Sequence, residues 1–203
     1  PLLQDPMINT VLGALSADMA VDLGTAMLRI CVQGRGVVSA EPNLAAILEH
    51  PDGRRRVLAT GESARPMEGR TPDDVRVVRP VQEGAVVDFE VLEAMLRLLM
   101  LQVQGRRLWV RPRVAVAVPC GLTDLELRGL REMVESAGAR TVITVEQPIA
   151  AAIGAGLPVD EACGQMVLDV GAGRATVTVV SLGGVVYTRT LRVGGDHMDE
   201  ALI

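Results

Sequence analysis

Met166-Val-Leu-Asp169-Val-Gly171-Ala-Gly173-Arg174-Ala-Thr176-Val, residues 166–177, carries the most informative pattern of this 203-residue chain. An apolar strand runs into an aspartate and two glycines, and a second strand follows. The glycines permit a tight turn whose backbone N–H groups face outward and can cradle phosphate. Asp169, at the mouth of the turn, can reach a metal ion. Taken alone, the pattern is equally typical of a plain hairpin.

A second copy of this pattern opens the chain. Val21-Asp22-Leu-Gly24-Thr25 repeats the strand, the aspartate and the glycine. Gln33-Gly-Arg-Gly36-Val-Val follows this copy much as Ser181-Leu-Gly-Gly184-Val-Val follows the other. The repeat predicts two related halves that each contribute one Asp-Gly turn. One interpretation is that a nucleotide binds between the turns. The alternative is that the two hairpins are only structural and were kept after the function was lost.

The composition restricts the class of protein. Hydrophobic residues make up 49% of the chain, which is enough for one or two domains with a core. The net charge of −5 argues against nucleic acid as a partner. All 20 basic residues are arginine, so no lysine can bind phosphate. Three widely spaced cysteines form no metal or redox pattern and indicate a reducing cytosol, and the sequence shows no membrane span or signal peptide.

The first half of the chain predicts a three-stranded start and a long helix. Strands are expected at 18–22, 27–33 and 36–40, with a turn at Gly34-Arg-Gly36. The proline- and arginine-rich residues 41–80 read as a small inserted subdomain. A helix is expected over 88–103, with Asp88 as its N-cap. The side chains expected on the core face of this helix are Phe89, Leu92, Leu96, Leu99 and Val103.

The second half predicts alternating strands and helices. Thr123-Asp-Leu-Glu126 is a capping box that opens a helix ending at Gly138, with Leu127, Leu130 and Val134 on its core face. Pro148 suits the first turn of another helix. The remaining elements expected are strands at 113–118, 141–145, 165–169, 175–181 and 184–192 and a helix after Gly194-Gly195-Asp196. Such an order implies an α/β fold in which helices cover a mixed sheet.

Several stretches match one known family. They are Asp22-Leu-Gly-Thr25-Ala, Gly69-Arg-Thr-Pro72, Arg79-Pro through Asp88-Phe-Glu, Arg111-Pro-Arg-Val, Pro148-Ile-Ala-Ala-Ala-Ile-Gly-Ala-Gly156-Leu-Pro, and Ser181-Leu-Gly-Gly-Val-Val through Gly194-Gly-Asp-His-Met-Asp-Glu-Ala. With them the chain resembles the MreB-type bacterial actins (MreB/Mbl) of the actin/DnaK/sugar-kinase fold. Two of these stretches, those starting at Gly69 and Ser181, disfavour a chaperone or a sugar kinase of that fold.

The resemblance implies an actin-like ATPase (ribonuclease H-like) fold with two related domains that close over a nucleotide. Residues 1–17 would be an N-terminal lead-in. Residues 18–160 would form domain I, with the insertion at about 41–80, and residues 161–203 would open domain II. The family's Gly-rich adenosine-binding segment is not among these residues. The chain is therefore expected to be either a fragment or a short, degenerate paralogue.

The resemblance also implies a site for ATP and Mg²⁺. Asp22 and Asp169 would hold the metal ion through water. Gln147, the residue before Pro148, would orient the attacking water. The residues implied to bind the nucleotide are Asp22, Gly24, Thr25, Ala26 and Met27 of the first turn and Asp169, Gly171, Ala172, Gly173 and Arg174 of the second.

Three departures from the family pattern fall at this site. Gln147 stands where relatives have glutamate, and because an amide orients water but cannot take its proton, slower hydrolysis is expected. Arg174 replaces a threonine and could either clamp phosphate or crowd the pocket. Met27 and Leu28 replace a polar pair. Whether the chain is an active ATPase is left open by these residues.

The resemblance finally implies a location and partners. Leu108-Trp109-Val110, flanked by arginines, corresponds to a membrane-inserting loop in relatives, although a tryptophan packed at a strand edge is the alternative. The expected protein is a cytoplasmic, ATP-dependent filament at the inner face of the cytoplasmic membrane. It would polymerise with itself, position cell-wall synthesis together with other shape proteins, and set cell shape. A non-hydrolysing paralogue that binds filaments or membrane as a modulator is the alternative.

Overall fold

The computed structural model describes residues 18–104 and 111–203. Within them the chain forms thirteen strands, four α-helices and two short 3₁₀ turns at Gly61–Ser63 and Arg65–Met67. The strands are β1 Met19–Leu23, β2 Met27–Val32, β3 Gly36–Pro42, β4 Ala45–Glu49, β5 Arg55–Thr60, β6 Val75–Val78, β7 Val81–Gln82, β8 Ala85–Val86, β9 Arg113–Val118, β10 Thr141–Glu146, β11 Gln165–Val170, β12 Ala175–Ser181 and β13 Gly184–Leu191. The helices are α1 Phe89–Gln104, α2 Asp124–Ala137, α3 Gln147–Gly154 and α4 Gly195–Glu200.

The first sheet is mixed, as the sequence predicts. Its order is β10-β9-β1-β2-β3, with β1 parallel to β9 and antiparallel to β2. Alternate residues of β1, β2 and β9 are buried, because side chains along a strand point to opposite faces and only one face meets the helices. The buried side chains of these three strands are Met19, Val21, Leu23, Leu28, Ile30, Val32, Val114, Val116 and Val118.

Helix α1 covers this face and begins at Asp88. The Asp88 carboxylate accepts a hydrogen bond from the N–H of Val91 at 3.1 Å, which confirms the predicted N-cap, and it also pairs with Arg55. Burial raises the pKa of Asp88, but the bonds from Arg55 and Val91 outweigh burial and the pKa lies below its usual value. Phe89 was expected in the core, and this is wrong, since its side chain is 42% exposed. It lies in the first turn of the helix and reaches Gly129 of α2.

Helix α2 packs beside α1 on the same face. The predicted capping box is present: the Thr123 hydroxyl accepts from the N–H of Glu126 at 3.3 Å, and the Glu126 carboxylate accepts from the N–H of Thr123 at 2.7 Å. The helix ends at Gly138, whose φ of 130° is the left-handed region that favours glycine. Leu130 and Val134 are buried as expected, and Leu127 is partly buried against the same core.

Residues 41–80 form a sheet of their own, in the order β5-β4-β6. Strand β4 serves two cores, because Ala45 and Ile47 pack into the main core while Ala46 packs into a small separate cluster. This segment is the one for which the sequence predicts an inserted subdomain. The division of the chain into a lead-in, domain I and the start of domain II stays a prediction.

A third sheet, β11-β12-β13, is formed by residues 165–191. Its strands agree with the predicted ones to within one residue. Helix α3, which carries Pro148 in its first turn as predicted, packs against both this sheet and the first one. Consequently the turn after β11 is brought towards the turn after β1. No helix within residues 18–104 or 111–203 is long and apolar enough to cross a membrane.

Candidate functional site

The two Asp-Gly turns line one cleft of about 390 Å³. The first turn connects β1 to β2, and the second connects β11 to β12. All eleven residues that the sequence singled out for nucleotide, metal and attacking water line this cleft. They are Asp22, Gly24, Thr25, Ala26, Met27, Gln147, Asp169, Gly171, Ala172, Gly173 and Arg174. Residues up to 152 positions apart in sequence, from Asp22 to Arg174, thus converge on one place, which a pair of unrelated hairpins would not require.

The first turn is closed by its own backbone. The N–H of Gly24 donates to the carbonyl oxygen of Met27 at 3.1 Å. A Cβ at Gly24 would lie 2.7 Å from that oxygen, so the close approach requires glycine. Asp22 lies opposite Arg29 in the β1–β2 register, and the two form an ion pair at 3.2 Å. Arg29 also lines the cleft, although the sequence analysis did not identify it.

Two neighbours hold the first turn from outside. The fully buried Asn43 donates its side-chain amide to the carbonyl oxygens of Thr25, at 2.8 Å, and Val81, at 2.7 Å. The Thr25 hydroxyl accepts from the N–H of Gly84 at 2.9 Å. Asn43 therefore bridges the first turn to Val81 of β7, and Gly84 of the β7–β8 hairpin bonds the turn directly. These hydrogen bonds fix the turn to the hairpin.

The β7–β8 hairpin is a wall of the cleft that sequence reasoning missed. Its two loop residues, Glu83 and Gly84, both have positive φ, at 47° and 73°, as a two-residue type I′ turn requires. A glycine at position 84 between the short runs Val81-Gln82 and Ala85-Val86 was a usable turn signal. Nothing local in the sequence, however, indicates that this hairpin meets the Asp-Gly turns.

The second turn is anchored to helix α4. The N–H of Gly171 donates to the carbonyl oxygen of Arg174 at 2.8 Å, and the N–H groups of Gly195 and Asp196 donate to Gly171 and Ala172 at 3.0 and 2.9 Å. Gly173 lies against the β7–β8 hairpin, where a Cβ would come within 2.7 Å of the Glu83 Cα. The two walls of the cleft thus touch at this glycine.

Arg174 reaches across the cleft. Its guanidinium donates a hydrogen bond to the side-chain oxygen of Gln147 and lies against Gly84, where any Cβ would overlap it. Burial lowers the pKa of Arg174, while Asp169, Cys120 and Asp22 act in the opposite direction. Since an arginine stays protonated in proteins, this is a fixed positive charge at the site.

Cys120 lies in a small recess next to the cleft, beside Gln147 and Arg174. Burial, followed by the charge of Glu146, raises the pKa of its thiol to about 11. The thiol is consequently protonated at neutral pH and is not a reactive nucleophile.

The donor set of the cleft suits Mg²⁺. Two carboxylates, Asp22 and Asp169, line the cleft, and the described residues contain no group of three or more histidine, cysteine or acidic side chains that could hold a metal ion. Mg²⁺ needs only one or two carboxylates from the protein, because waters and phosphate oxygens supply its other ligands, so the two aspartates fit this ion. Leu108, Trp109 and Val110, which the sequence assigned to a membrane loop, lie outside the described residues.

Comparison with known proteins places the chain in a family. Residues 16–203 match the family model described as MreB/Mbl protein. The chain is 46% identical over 199 residues to the cell shape-determining protein MreB of Escherichia coli (strain K12), covering 97% of this chain and 57% of that protein. It is 38% identical over 186 residues to the cell shape-determining protein Mbl of Bacillus subtilis (strain 168), covering 92% and 55%.

Solved structures agree on the fold. The crystal structure of MreB5 of Spiroplasma citri bound to ADP superposes with a TM-score of 0.79 at 32% identity, covering 90% of this chain and 54% of that one. A MamK double helical filament superposes with a TM-score of 0.70 at 19% identity, covering 91% and 57%, which bears on the fold alone. The predicted actin-like fold is confirmed, and the chain spans little more than half the length of the curated relatives it matches. The chain belongs to the MreB/Mbl family.

Proposed function

We propose that this chain binds ATP with Mg²⁺ in the cleft between its two Asp-Gly turns, as part of a cytoskeletal protein that determines cell shape. The observation that supports the proposal most is the convergence of all eleven predicted residues on one cleft. The relatives support it as well: MreB of Escherichia coli and Mbl of Bacillus subtilis are cell shape-determining proteins, and MreB5 of Spiroplasma citri has been crystallised with ADP and with AMPPNP.

Each part of the cleft has a proposed role. The backbone N–H groups of the turns at 24–27 and 171–174 would hold the phosphates, as glycine-rich turns do in other nucleotide sites. Asp22 and Asp169 would hold Mg²⁺, which neutralises phosphate charge when it is bound. Thr25 would keep its turn in place through its bond to Gly84.

Hydrolysis at this site is expected to be slow. Gln147 can orient a water molecule through its amide, but it cannot accept a proton as a carboxylate would. In addition, its side-chain oxygen accepts a hydrogen bond from Arg174 and must be released before it can orient water. The comparisons favour the cytoskeletal function over a purely modulatory paralogue, because the closely matching relatives are cell shape-determining proteins.

The test of nucleotide binding is a melting experiment on the 203-residue chain. Mg–ATP at 100 times its Kd would stabilise the folded state by about 2.7 kcal/mol, which corresponds to a rise in Tm of about 5–11 °C for a chain of this size. AMP, which lacks the phosphates that bridge the two turns, should raise the Tm much less. An unchanged Tm at millimolar Mg–ATP, measured by differential scanning fluorimetry, would contradict the proposal.

We also propose that the protein polymerises with itself beneath the cytoplasmic membrane and works there with proteins of cell-wall synthesis. Support for this comes from family membership. For attachment we propose Leu108, Trp109 and Val110, because apolar residues that are flanked in sequence by arginines suit an anionic surface. Each basic residue near such a surface contributes about 1 kcal/mol. Filaments that present many copies would convert this weak contact into firm binding.

Trp109→Ser tests the membrane contact. We expect the substitution to reduce co-sedimentation with vesicles of anionic phospholipid at least about tenfold, because burial of one tryptophan side chain contributes a few kcal/mol. Leu125→Ser is the matched control, since Leu125 is an apolar side chain that is 74% exposed in the first turn of α2. If Trp109→Ser binds vesicles as the unchanged chain does, the loop is not the attachment site.

A further inference from the structure

The cleft contains a positive charge without a carboxylate partner. Among the described residues, Arg29 pairs with Asp22 and Arg79 pairs with Asp196, whereas Arg174 forms no ion pair in that part of the chain. Its hydrogen-bond acceptor is the neutral amide oxygen of Gln147. Asp169 and Asp22 favour its charge at longer range without touching it.

The position of this guanidinium is set by the fold. Gly173 lies against Glu83 of the β7–β8 hairpin. The side chain of Arg174, the next residue, lies against Gly84 of that hairpin. The guanidinium is therefore confined between the second turn and the β7–β8 hairpin, directly at the space where the two turns face each other. A confined guanidinium loses little freedom when it binds an anion, which makes it an effective ligand for phosphate.

Arg174 changes the net charge of the side chains that line the cleft. Asp22 and Asp169 contribute −2, and Arg29 and Arg174 contribute +2, so the charged lining residues sum to zero. With a neutral residue at position 174, the same lining would sum to −1. A polyphosphate that enters a cleft with a net charge of −1 needs Mg²⁺ to offset the repulsion. The cleft with Arg174 presents no net opposing charge.

We propose that Arg174 lets this cleft hold the phosphate tail of a nucleotide without Mg²⁺. When the tail enters, the guanidinium leaves the neutral amide of Gln147 and binds phosphate oxygens, because these carry negative charge and can accept two parallel bonds from one guanidinium. Mg²⁺ then strengthens binding through Asp22 and Asp169 but is not required for it. This inference rests on the proposed binding of nucleotide phosphates in the cleft.

The test measures phosphate-tail binding with and without the metal ion. The probe is inorganic tripolyphosphate, which carries the phosphate chain and needs no adenosine contacts, and the method is isothermal titration calorimetry in excess Mg²⁺ or in EDTA. For the unchanged chain we expect EDTA to weaken binding less than about 10-fold. For Arg174→Thr and Arg174→Gln we expect EDTA to weaken tripolyphosphate binding by about 100-fold, since without the guanidinium no charge-assisted bond to phosphate replaces the metal ion.

Arg189→Gln is the matched control. Arg189 is an exposed arginine on β13, on the side of the strand opposite Thr188 and Thr190, and it lies outside the cleft. Its substitution removes the same charge from the same sheet and should leave the EDTA response as in the unchanged chain. Circular dichroism of each variant checks that it is folded.

Each outcome bears on the inference. Binding by the unchanged chain in Mg²⁺ that disappears in EDTA overturns the inference and leaves the proposed function standing. An equal EDTA response in the unchanged chain and in Arg174→Gln also overturns it. Absence of binding in both buffers, with ATP as well as with tripolyphosphate, contradicts the proposed function itself. If Arg174→Thr does not fold, the unchanged chain and Arg174→Gln still decide the question.

Discussion

Gly173→Ala is expected to weaken Mg–ATP binding by up to about 100-fold. The added Cβ would lie 2.7 Å from the Cα of Glu83, 2.9 Å from its nitrogen and 3.0 Å from the hydroxyl oxygen of Thr25. Two of these atoms are backbone, so no flexible side chain can move aside. The β7–β8 hairpin would have to shift, and overpacking of this kind costs about 1–3 kcal/mol.

The consequence reaches the first turn as well. Gly84 of the same hairpin donates the hydrogen bond that holds Thr25, so a shift of the hairpin releases the turn that would hold the phosphates. A loss of about 2.7 kcal/mol in binding free energy corresponds to the 100-fold change in Kd. Calorimetric titration with Mg–ATP measures it directly.

The control for this substitution is Gly154→Ala. Gly154 ends α3, has no atom near the position of an added Cβ and does not need a left-handed backbone, so alanine should be neutral or slightly stabilising there. If Gly173→Ala binds Mg–ATP with unchanged affinity, the two turns do not act together on the nucleotide, and the proposed site is wrong.

Asp169→Asn is expected to change nucleotide affinity in opposite directions with and without Mg²⁺. With Mg²⁺ the affinity should fall about 10- to 100-fold, because asparagine has the shape of aspartate but not the charge that a Mg²⁺ ligand supplies. In EDTA the affinity should instead rise, since one negative charge has left the cleft and Arg174 remains. Asp169 is exposed, so the substitution should not disturb the fold.

The measurement for Asp169→Asn is a pair of ATP titrations, one in excess Mg²⁺ and one in EDTA. Asp160→Asn is the matched control: Asp160 is an exposed carboxylate that lies outside the cleft, and its substitution should leave both titrations unchanged. A fall in affinity of equal size in both buffers would show that Asp169 acts on the fold of the turn and not on the metal ion.

The sequence predicted most of this site because its decisive features are local. Each Asp-Gly turn is written in five or six consecutive residues, and strand boundaries such as those of β9 and β12 follow from alternating apolar residues. Helix α2 begins at its capping box and ends at its glycine for the same reason. The repeat of the turn, together with the family motifs, indicated that the two copies face each other.

The remaining features depend on contacts between distant residues. Asn43 bonds to Thr25, which is 18 residues away in sequence, and to Val81, which is 38 residues away. No periodicity or motif in the sequence predicts such bonds. Phe89 fitted the pattern of the core face, yet in the first turn of α1 its side chain reaches towards Gly129 of α2 and stays exposed. For Arg174 the sequence left a phosphate clamp and a crowded pocket open, and the structure shows it bound to Gln147 instead.

The most direct test of the central claim is a crystal structure of the chain grown with Mg²⁺ and AMPPNP. We predict that the phosphates lie between the turns at 24–27 and 171–174, with the metal ion between Asp22 and Asp169 and with the Arg174 guanidinium moved from Gln147 to phosphate oxygens. Phosphates bound elsewhere on the chain, or a cleft that stays empty at saturating AMPPNP, would contradict the account.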